Sequence, residues 1–224
     1  MSESATLVKF GSETHLLQLL ESGLLYMKNL PYFWRVEDDG LRGDPCDSIH
    51  RLERGSNGTG ILRIANNTAV PIHLESWTFR IHPSEPEKMN IFCMYALRPL
   101  AGSFPIDERN YRFDDHALLL TEPQQFIDRI HRVLTEKHIQ HTAGLVEYFG
   151  DDYTGEIGPF KKQRAFSYQS EWRLVCFNGP GTSLNIEIGS IQDIAVIVRS
   201  GDINDVVKID DSARLTIQTP LMDQ

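Results

Sequence analysis

Two stripes of apolar residues at helical spacing dominate the hydrophobic pattern of the chain. The first, over residues 13–22, is rich in leucine and is followed by Gly23, which suits a left-handed helix end. The second lies between residues 122 and 138, with Thr121 available as a cap and Pro123 in the first turn. Its stripe consists of Phe126, Ile127, Ile130, Val133 and Leu134. We therefore predict two main helices, at about 13–22 and about 122–138.

The other apolar segments have the length and alternation of strands. Residues 6–10 predict an opening strand, and the almost wholly apolar residues 90–97 predict a strand buried on both faces, central in a sheet. Short, partly alternating segments separated by Gly and Asn predict a hairpin insertion at about 40–88. We therefore expect one α+β domain over residues 1–224, with the two helices packed on a central, split sheet of mixed and antiparallel strands.

Composition supports a globular protein and limits its partners. The chain has 224 residues, of which 41% are hydrophobic and 24% charged, as in ordinary folded domains. Its 22 basic and 31 acidic residues give a net charge of −9, which disfavours indiscriminate nucleic-acid binding but leaves room for a local basic groove. Three widely spaced cysteines and the lack of an export signal or long apolar run predict a cytoplasmic protein with no membrane contact.

The strongest candidate site lies in the segment SYQSEWRLVCF, residues 167–177. If this segment is a strand throughout, its period of two places Gln169, Glu171 and Arg173 on one face. An amide, a carboxylate and a guanidinium in a row could grip a ribose or a phosphate. A solvated sheet face has the same pattern in sequence, so both interpretations remain open.

Basic residues come just before that segment, in PFKKQR. We predict a loop in which Lys161, Lys162 and Arg164 contact an anion near the site. In that case, replacing both lysines with Glu should change the salt dependence of binding with little loss of folding. The alternative is an ordinary solvated loop.

An aromatic and basic segment follows the first helix, in LPYFWRVEDDGLRGDP. Aromatic faces beside arginines suit a flat heteroaromatic ligand and its phosphates. Alternatively, Phe33 and Trp34 anchor the core while Arg42 pairs with Asp44 across a turn. The chain contains no phosphate-binding GxxxxGK[ST], no GxGxxG and no GxSxG motif, and its histidines follow no metal-site spacing.

Short motifs follow one another in order from Lys9 to about Ser200. They are the opening strand with Lys9 and Phe10, then LLYMKNLPYFW, RGDP, Phe92 with Cys93, VEYF, YQSEWR, and Ile188 with Gly189. This order resembles a family of bacterial and phage proteins named domain of unknown function 2971. The family name implies no activity.

A second resemblance suggests chemistry. The opening segment, LVKFGSETHLLQLLESGLLY, is similar to the first strand and helix of ADP-ribosyltransferases, with Lys9 where those enzymes have Arg or His. Their QxE motif is matched by Gln169, Ser170 and Glu171. The resemblance implies NAD as co-substrate, Glu171 and Gln169 as catalytic residues, and no metal. It also implies NAD contacts from Lys9, Phe10, Ser12, Tyr26, Phe33, Arg35 and Arg173.

The chemistry of such a reaction suits these residue types. Cleavage of the bond between nicotinamide and ribose passes through an oxocarbenium-like state, which Glu171 would stabilise. We therefore expect an NAD-dependent ADP-ribosyltransferase-like effector, a toxin or phage-defence component that modifies RNA, DNA or protein and has an antitoxin or chaperone partner. Two alternatives remain: a non-catalytic module that binds a nucleotide or a partner, and a nucleic-acid-processing enzyme.

Overall fold

The fold belongs to the α+β class, with mostly antiparallel strands and few helices. The computed structural model describes residues 6–36, 41–64, 68–98, 101–210 and 215–218. In these ranges the α-helices are α1 (Glu13–Ser22), α2 (Leu30–Arg35), α3 (Pro123–Glu136) and α4 (Ile203–Val206). The strands are β1 (Thr6–Gly11), β2 (Leu24–Asn29), β3 (Arg51–Arg63), β4 (Ala69–Ile81), β5 (Asn90–Leu97), β6 (His116–Leu120), β7 (His141–Leu145), β8 (Glu147–Phe149), β9 (Gly155–Glu156), β10 (Lys161–Gln163), β11 (Glu171–Cys176), β12 (Leu184–Glu187), β13 (Ala195–Arg199), β14 (Val207–Ile209) and β15 (Leu215–Ile217).

Both predicted main helices are confirmed. Helix α1 ends at Gly23, whose φ of 67° is left-handed and whose N–H donates to the Leu19 carbonyl at 3.0 Å. Helix α3 buries one stripe that includes Phe126 and Leu134, as its spacing predicts. Its N-cap is Glu122 rather than Thr121, and the Thr121 N–H donates to the Ile194 carbonyl at 2.8 Å.

The central sheet has eight strands, and β5 lies in its middle as predicted. The order is β12–β2–β5–β1–β6–β13, while β11 and then β7 extend the sheet from the other edge of β5. All neighbouring strands in this sheet are antiparallel, and the one parallel pair of the described residues, β8 with β10, lies outside it. Strand β5 is therefore paired on both edges and buried on both faces.

The sheet is split on one edge of β5. Strand β11 pairs with β5 along Asn90 to Tyr95 on one edge. On the opposite edge, β2 pairs only with Asn90 and Ile91, whereas β1 pairs only from Tyr95 to Leu97. The backbone at 92–94 has no strand neighbour there, so β1 and β2 diverge and open a gap next to Cys93.

Apolar side chains cover both faces of the sheet. The main core packs α1 and α3 against one face and includes Leu7, Met94 and Leu174. The second core lies on the other face and includes Val8 and Tyr95. Neighbouring residues of one strand enter opposite cores, as the period of two requires. The helical layer and the second core hold the diverging strands in place.

A long antiparallel hairpin, β3 with β4, lies within the region where an insertion is predicted. It touches a further strand, β9, only at Arg51 and Leu52. Its outer part exposes apolar side chains, including Ile61 and Leu62. Residues 65–67, between the two strands, lie outside the described residues. No helix in the part of the chain that the structure describes is long and apolar enough to cross a membrane.

Candidate functional site

A cavity of about 560 Å³ opens where β1 and β2 diverge. This volume lies within the range of pockets that hold small molecules and cofactors. Strand β1 and the first turn of α1 form one wall, β2 and α2 form another, and β5 and β11 form the floor. The predicted site residues that line it are Lys9, Phe10, Ser12, Tyr26, Phe33, Gln169, Glu171 and Arg173.

Arg35 is the one predicted site residue that lies outside the cavity. Its side chain is exposed at the end of α2, and its Nε donates to the Pro31 carbonyl at 3.0 Å. The helical turn directs the guanidinium back along α2. The contact of Arg35 with a ligand therefore stays a prediction, and it would need a different position of this side chain.

Gln169 reaches the site by a different route from the one predicted. Residues 164–169 form a 3-10 helix, Ser170 has a left-handed φ of 38°, and β11 begins only at Glu171. The alternation of a strand therefore does not extend back to Gln169. Its amide nevertheless joins Glu171 through Lys162, whose Nζ lies 2.7 Å from the Gln169 Oε1.

Four buried charged side chains meet at the floor of the cavity. The Arg173 guanidinium binds Asp47 with both Nη atoms, Nη1 to Oδ1 at 2.7 Å and Nη2 to Oδ2 at 2.8 Å. The Arg173 Nε donates to the Glu171 Oε2 at 2.7 Å, and the Lys162 Nζ donates to the Glu171 Oε1 at 2.6 Å. Two carboxylates and two cations thus form a neutral group, which we call the charge cluster.

Burial determines the electrostatics of the charge cluster. Only 1% of the Arg173 side chain and 7% of the Glu171 side chain are exposed, so the alternative of a solvated sheet face is excluded. Burial alone would raise the pKa of Glu171, but Arg173 and Lys162 outweigh it and hold that pKa well below its ordinary value. Glu171 is therefore ionised at neutral pH and fixed in orientation.

The predicted basic loop is not a single loop. Lys161 to Gln163 form the short strand β10, and Lys162 belongs to the buried charge cluster. The Lys161 Nζ donates to the Tyr153 hydroxyl at 3.1 Å, whereas Arg164 is exposed. Because Lys162 is buried and paired with Glu171, we expect reversal of both lysine charges to disrupt folding, in place of the mild effect expected for a loop.

Lys9 lies in the gap between the diverging strands. Its Nζ donates to the Cys93 carbonyl at 2.8 Å and lies 4.7 Å from the centre of the Phe92 ring. Burial lowers the pKa of Lys9, and the nearby Arg42 guanidinium lowers it further. Burial also raises the pKa of Cys93 to about 12, so the thiol next to Lys9 stays protonated.

Sequence reasoning missed three charged residues of the site, Asp47, Lys28 and Asp114. Asp47 is 126 positions from Arg173, and no local pattern relates the two. Lys28 projects from β2 into the cavity, with its Nζ 5.0 Å from the ring centres of Tyr26 and Tyr32. A lysine within the otherwise apolar segment LLYMKNL was a signal that could have identified it.

The cavity carries a positive charge although the chain is acidic overall. Its lining contains five cationic and three acidic side chains, and two of the acidic ones are neutralised within the charge cluster. A positive, partly aromatic cavity favours an anionic ligand with a flat ring. The charged lining residues are Lys9, Lys28, Arg42, Lys162, Arg173, Asp47, Asp114 and Glu171.

Comparison of the chain with protein-family models, curated proteins and solved structures gives no significant match. The resemblances described from the sequence therefore rest on their short motifs alone. Within the described residues, no group of three or more His, Cys, Asp or Glu side chains is arranged to hold a metal ion.

Proposed function

We propose that the protein is an NAD-dependent ADP-ribosyltransferase-like effector that binds NAD in the cavity at the sheet split. The observation that carries the proposal is an ionised, immobilised carboxylate, Glu171, on the floor of a positively charged aromatic cavity. In this proposal the acceptor is a nucleic acid or a protein, and the biological role is that of a toxin or phage-defence component.

The lining residues fit the chemical groups of NAD. Lys9 offers an ammonium for the diphosphate, and its lowered pKa reflects burial that an anionic ligand would compensate. Tyr26 and Phe33 offer aromatic faces for a flat ring. NAD would supply a ribose carbon joined to nicotinamide, a leaving group that departs without its own negative charge.

Glu171 would act on the ribose. Each of its oxygens accepts one hydrogen bond from the charge cluster, and each carboxylate oxygen has a second lone pair available for a ribose hydroxyl. Its negative charge would stabilise the positive charge that develops on the ribose as nicotinamide leaves. Arg173 and Lys162 act as positioning residues, because they hold this carboxylate in place.

Gln169 has a different part in this proposal from the one that its sequence position suggests. Its Nε2 donates to the Leu41 carbonyl at 2.7 Å, while its Oε1 accepts from Lys162. Because both ends of the amide are engaged, Gln169 positions Lys162 and through it Glu171. Orientation of the incoming nucleophile then falls to another group of the cavity or to the acceptor itself.

A nicotinamide-release assay tests the proposal. The protein is incubated with NAD and with RNA, DNA or protein acceptors, and free nicotinamide is measured by chromatography. We expect release above the protein-free control with at least one acceptor class. The transferase proposal fails if no acceptor supports nicotinamide release, and calorimetry then shows whether the protein binds NAD at all.

A second candidate is a non-catalytic module that binds a nucleotide in the same cavity. The observation that favours it is the pairing of both Glu171 oxygens with cations, which partly neutralises the carboxylate that catalysis would use. This candidate predicts NAD or nucleotide binding without nicotinamide release from any acceptor mixture. The same pair of measurements therefore separates the two functions.

A further inference from the structure

Two lysines line the cavity at the sheet split, one on each diverging strand. Lys9 is on β1 and Lys28 is on β2, and both line the cavity. Neither forms a salt bridge with a carboxylate of the described residues, whereas Lys162 and Arg173 are paired within the charge cluster. The positive charge that is available to a ligand is therefore concentrated at the split.

The two lysines meet β5 at nearby points of that strand. Lys28 lies opposite Ile91, and the Lys9 ammonium binds the carbonyl of Cys93, two residues further on. Two residues of an extended strand span about 7 Å. Both lysines therefore approach the same short stretch of β5, on which two adjacent phosphates would find two cations.

Aromatic rings hold Lys28 without neutralising it. Its Nζ lies 5.0 Å from the centres of both the Tyr26 and Tyr32 rings. The lowered pKa of Tyr26 comes first from its hydrogen bond with Lys28 and then from one with Ser183. Cation–π contacts restrict the ammonium but leave its full charge for a ligand. Tyr26 is 46% exposed, so this end of the cavity is open to solvent.

We infer that Lys9 and Lys28 form a clamp for the diphosphate group of a nucleoside diphosphate or dinucleotide, with Lys28 as its second cation. The flat ring of the ligand lies beside Tyr26, Tyr32 and Phe33. The clamp deepens the proposed function, because it rests on the same cavity as the ligand site. It also distinguishes a diphosphate ligand from one with a single phosphate.

Calorimetry with the full chain tests the clamp. The probes are inorganic pyrophosphate, ADP and inorganic phosphate, and the variants are Lys28→Gln, Lys28→Arg and Lys137→Gln. Lys137 is exposed at the end of α3, outside the cavity lining, so its loss removes an equal charge elsewhere. Thermal unfolding of each variant confirms that it is folded.

We expect wild-type protein to bind pyrophosphate and ADP more tightly than phosphate. Lys28→Gln should weaken pyrophosphate and ADP about 10- to 100-fold, the usual effect of losing one hydrogen bond to a charged group. Lys28→Arg should retain most of the affinity, and Lys137→Gln should match wild type. Affinity should also depend less on salt in Lys28→Gln.

Either of two results overturns the clamp. One is the absence of pyrophosphate and ADP binding to the folded wild-type protein, and the other is equal affinity in Lys28→Gln and Lys137→Gln. Failure of the transferase proposal gives a different result. Diphosphate binding that depends on Lys28, with no nicotinamide release from NAD, would keep the clamp and reject the transferase.

Discussion

Replacing Asp47 with Asn tests whether the charge cluster holds the floor of the cavity together. Wild type has two carboxylates and two cations, so Asp47→Asn leaves one buried positive charge without a partner. Only 1% of the Arg173 side chain and 4% of the Asp47 side chain are exposed. Breaking a buried pair by removing one partner costs about 3–5 kcal/mol, and we expect a loss of that size in the free energy of unfolding.

The chain provides a matched control at its surface. Arg129 binds Asp193 with the same two-pronged geometry, Nη1 to Oδ1 at 3.1 Å and Nη2 to Oδ2 at 2.5 Å. The Asp193 side chain is 59% exposed, so water screens that pair. Asp193→Asn should therefore cost far less of the free energy of unfolding than Asp47→Asn. Urea unfolding at neutral pH measures both losses.

A double variant separates charge from shape. Lys162→Met removes the excess positive charge that Asp47→Asn leaves, so the double variant has a neutral Glu171–Arg173 pair. We expect the double variant to lose less free energy of unfolding than the sum of the two single losses. The difference should be about 0.5–3 kcal/mol. The reasoning is refuted if the losses are additive, or if Asp47→Asn costs no more than Asp193→Asn.

Three further predictions concern the same site and the turn before β2. Because the pKa of Glu171 is depressed in the folded state, its stabilising effect is present above pH 4.5 and is lost as the pH falls. In Glu171→Gln, the free energy of unfolding measured with urea should therefore fall less steeply with decreasing pH than in wild type. Gly23→Ala should lower the midpoint of thermal unfolding more than Gly181→Ala. Both glycines have positive φ, but a Cβ at Gly23 would lie 2.2 Å from the Gly189 carbonyl oxygen, whereas one at Gly181 meets nothing within 4 Å. Tyr148→Phe should cost about 1–3 kcal/mol in urea unfolding, since it leaves the Glu171 N–H, now 2.8 Å from the Tyr148 oxygen, without an acceptor.

Local signals were enough to predict the elements that surround the cavity. The leucine stripe and Gly23 define α1, and the apolar run at 90–97 identifies the central strand. Both depend on periodicity and cap chemistry within a few residues. The place where β1 and β2 separate depends instead on which residues of β5 each strand meets. Such long-range pairing has no local sequence signature.

Only part of the candidate site was predictable, because some of its residues meet through long-range contacts. Glu171 and Arg173 are two residues apart on one strand, so their side chains project from the same face. Asp47 joins them through tertiary packing, and the Trp34 Nε1 fixes its segment by donating to the Asp47 carbonyl at 2.8 Å. Gln169 was placed on a strand because nothing in YQSE indicates the left-handed Ser170, a conformation that usually favours Gly or Asn.

Nicotinamide release by the variant Glu171→Gln/Lys162→Met tests most directly whether Glu171 is the catalytic carboxylate. The double substitution removes one charge of each sign, so the charge cluster stays neutral while the carboxylate is lost. We predict that this variant is folded and binds NAD, but releases nicotinamide about 100- to 1,000-fold more slowly than wild type with the same acceptor. Release at the wild-type rate would contradict the assignment and leave Glu171 as a purely structural partner of Arg173.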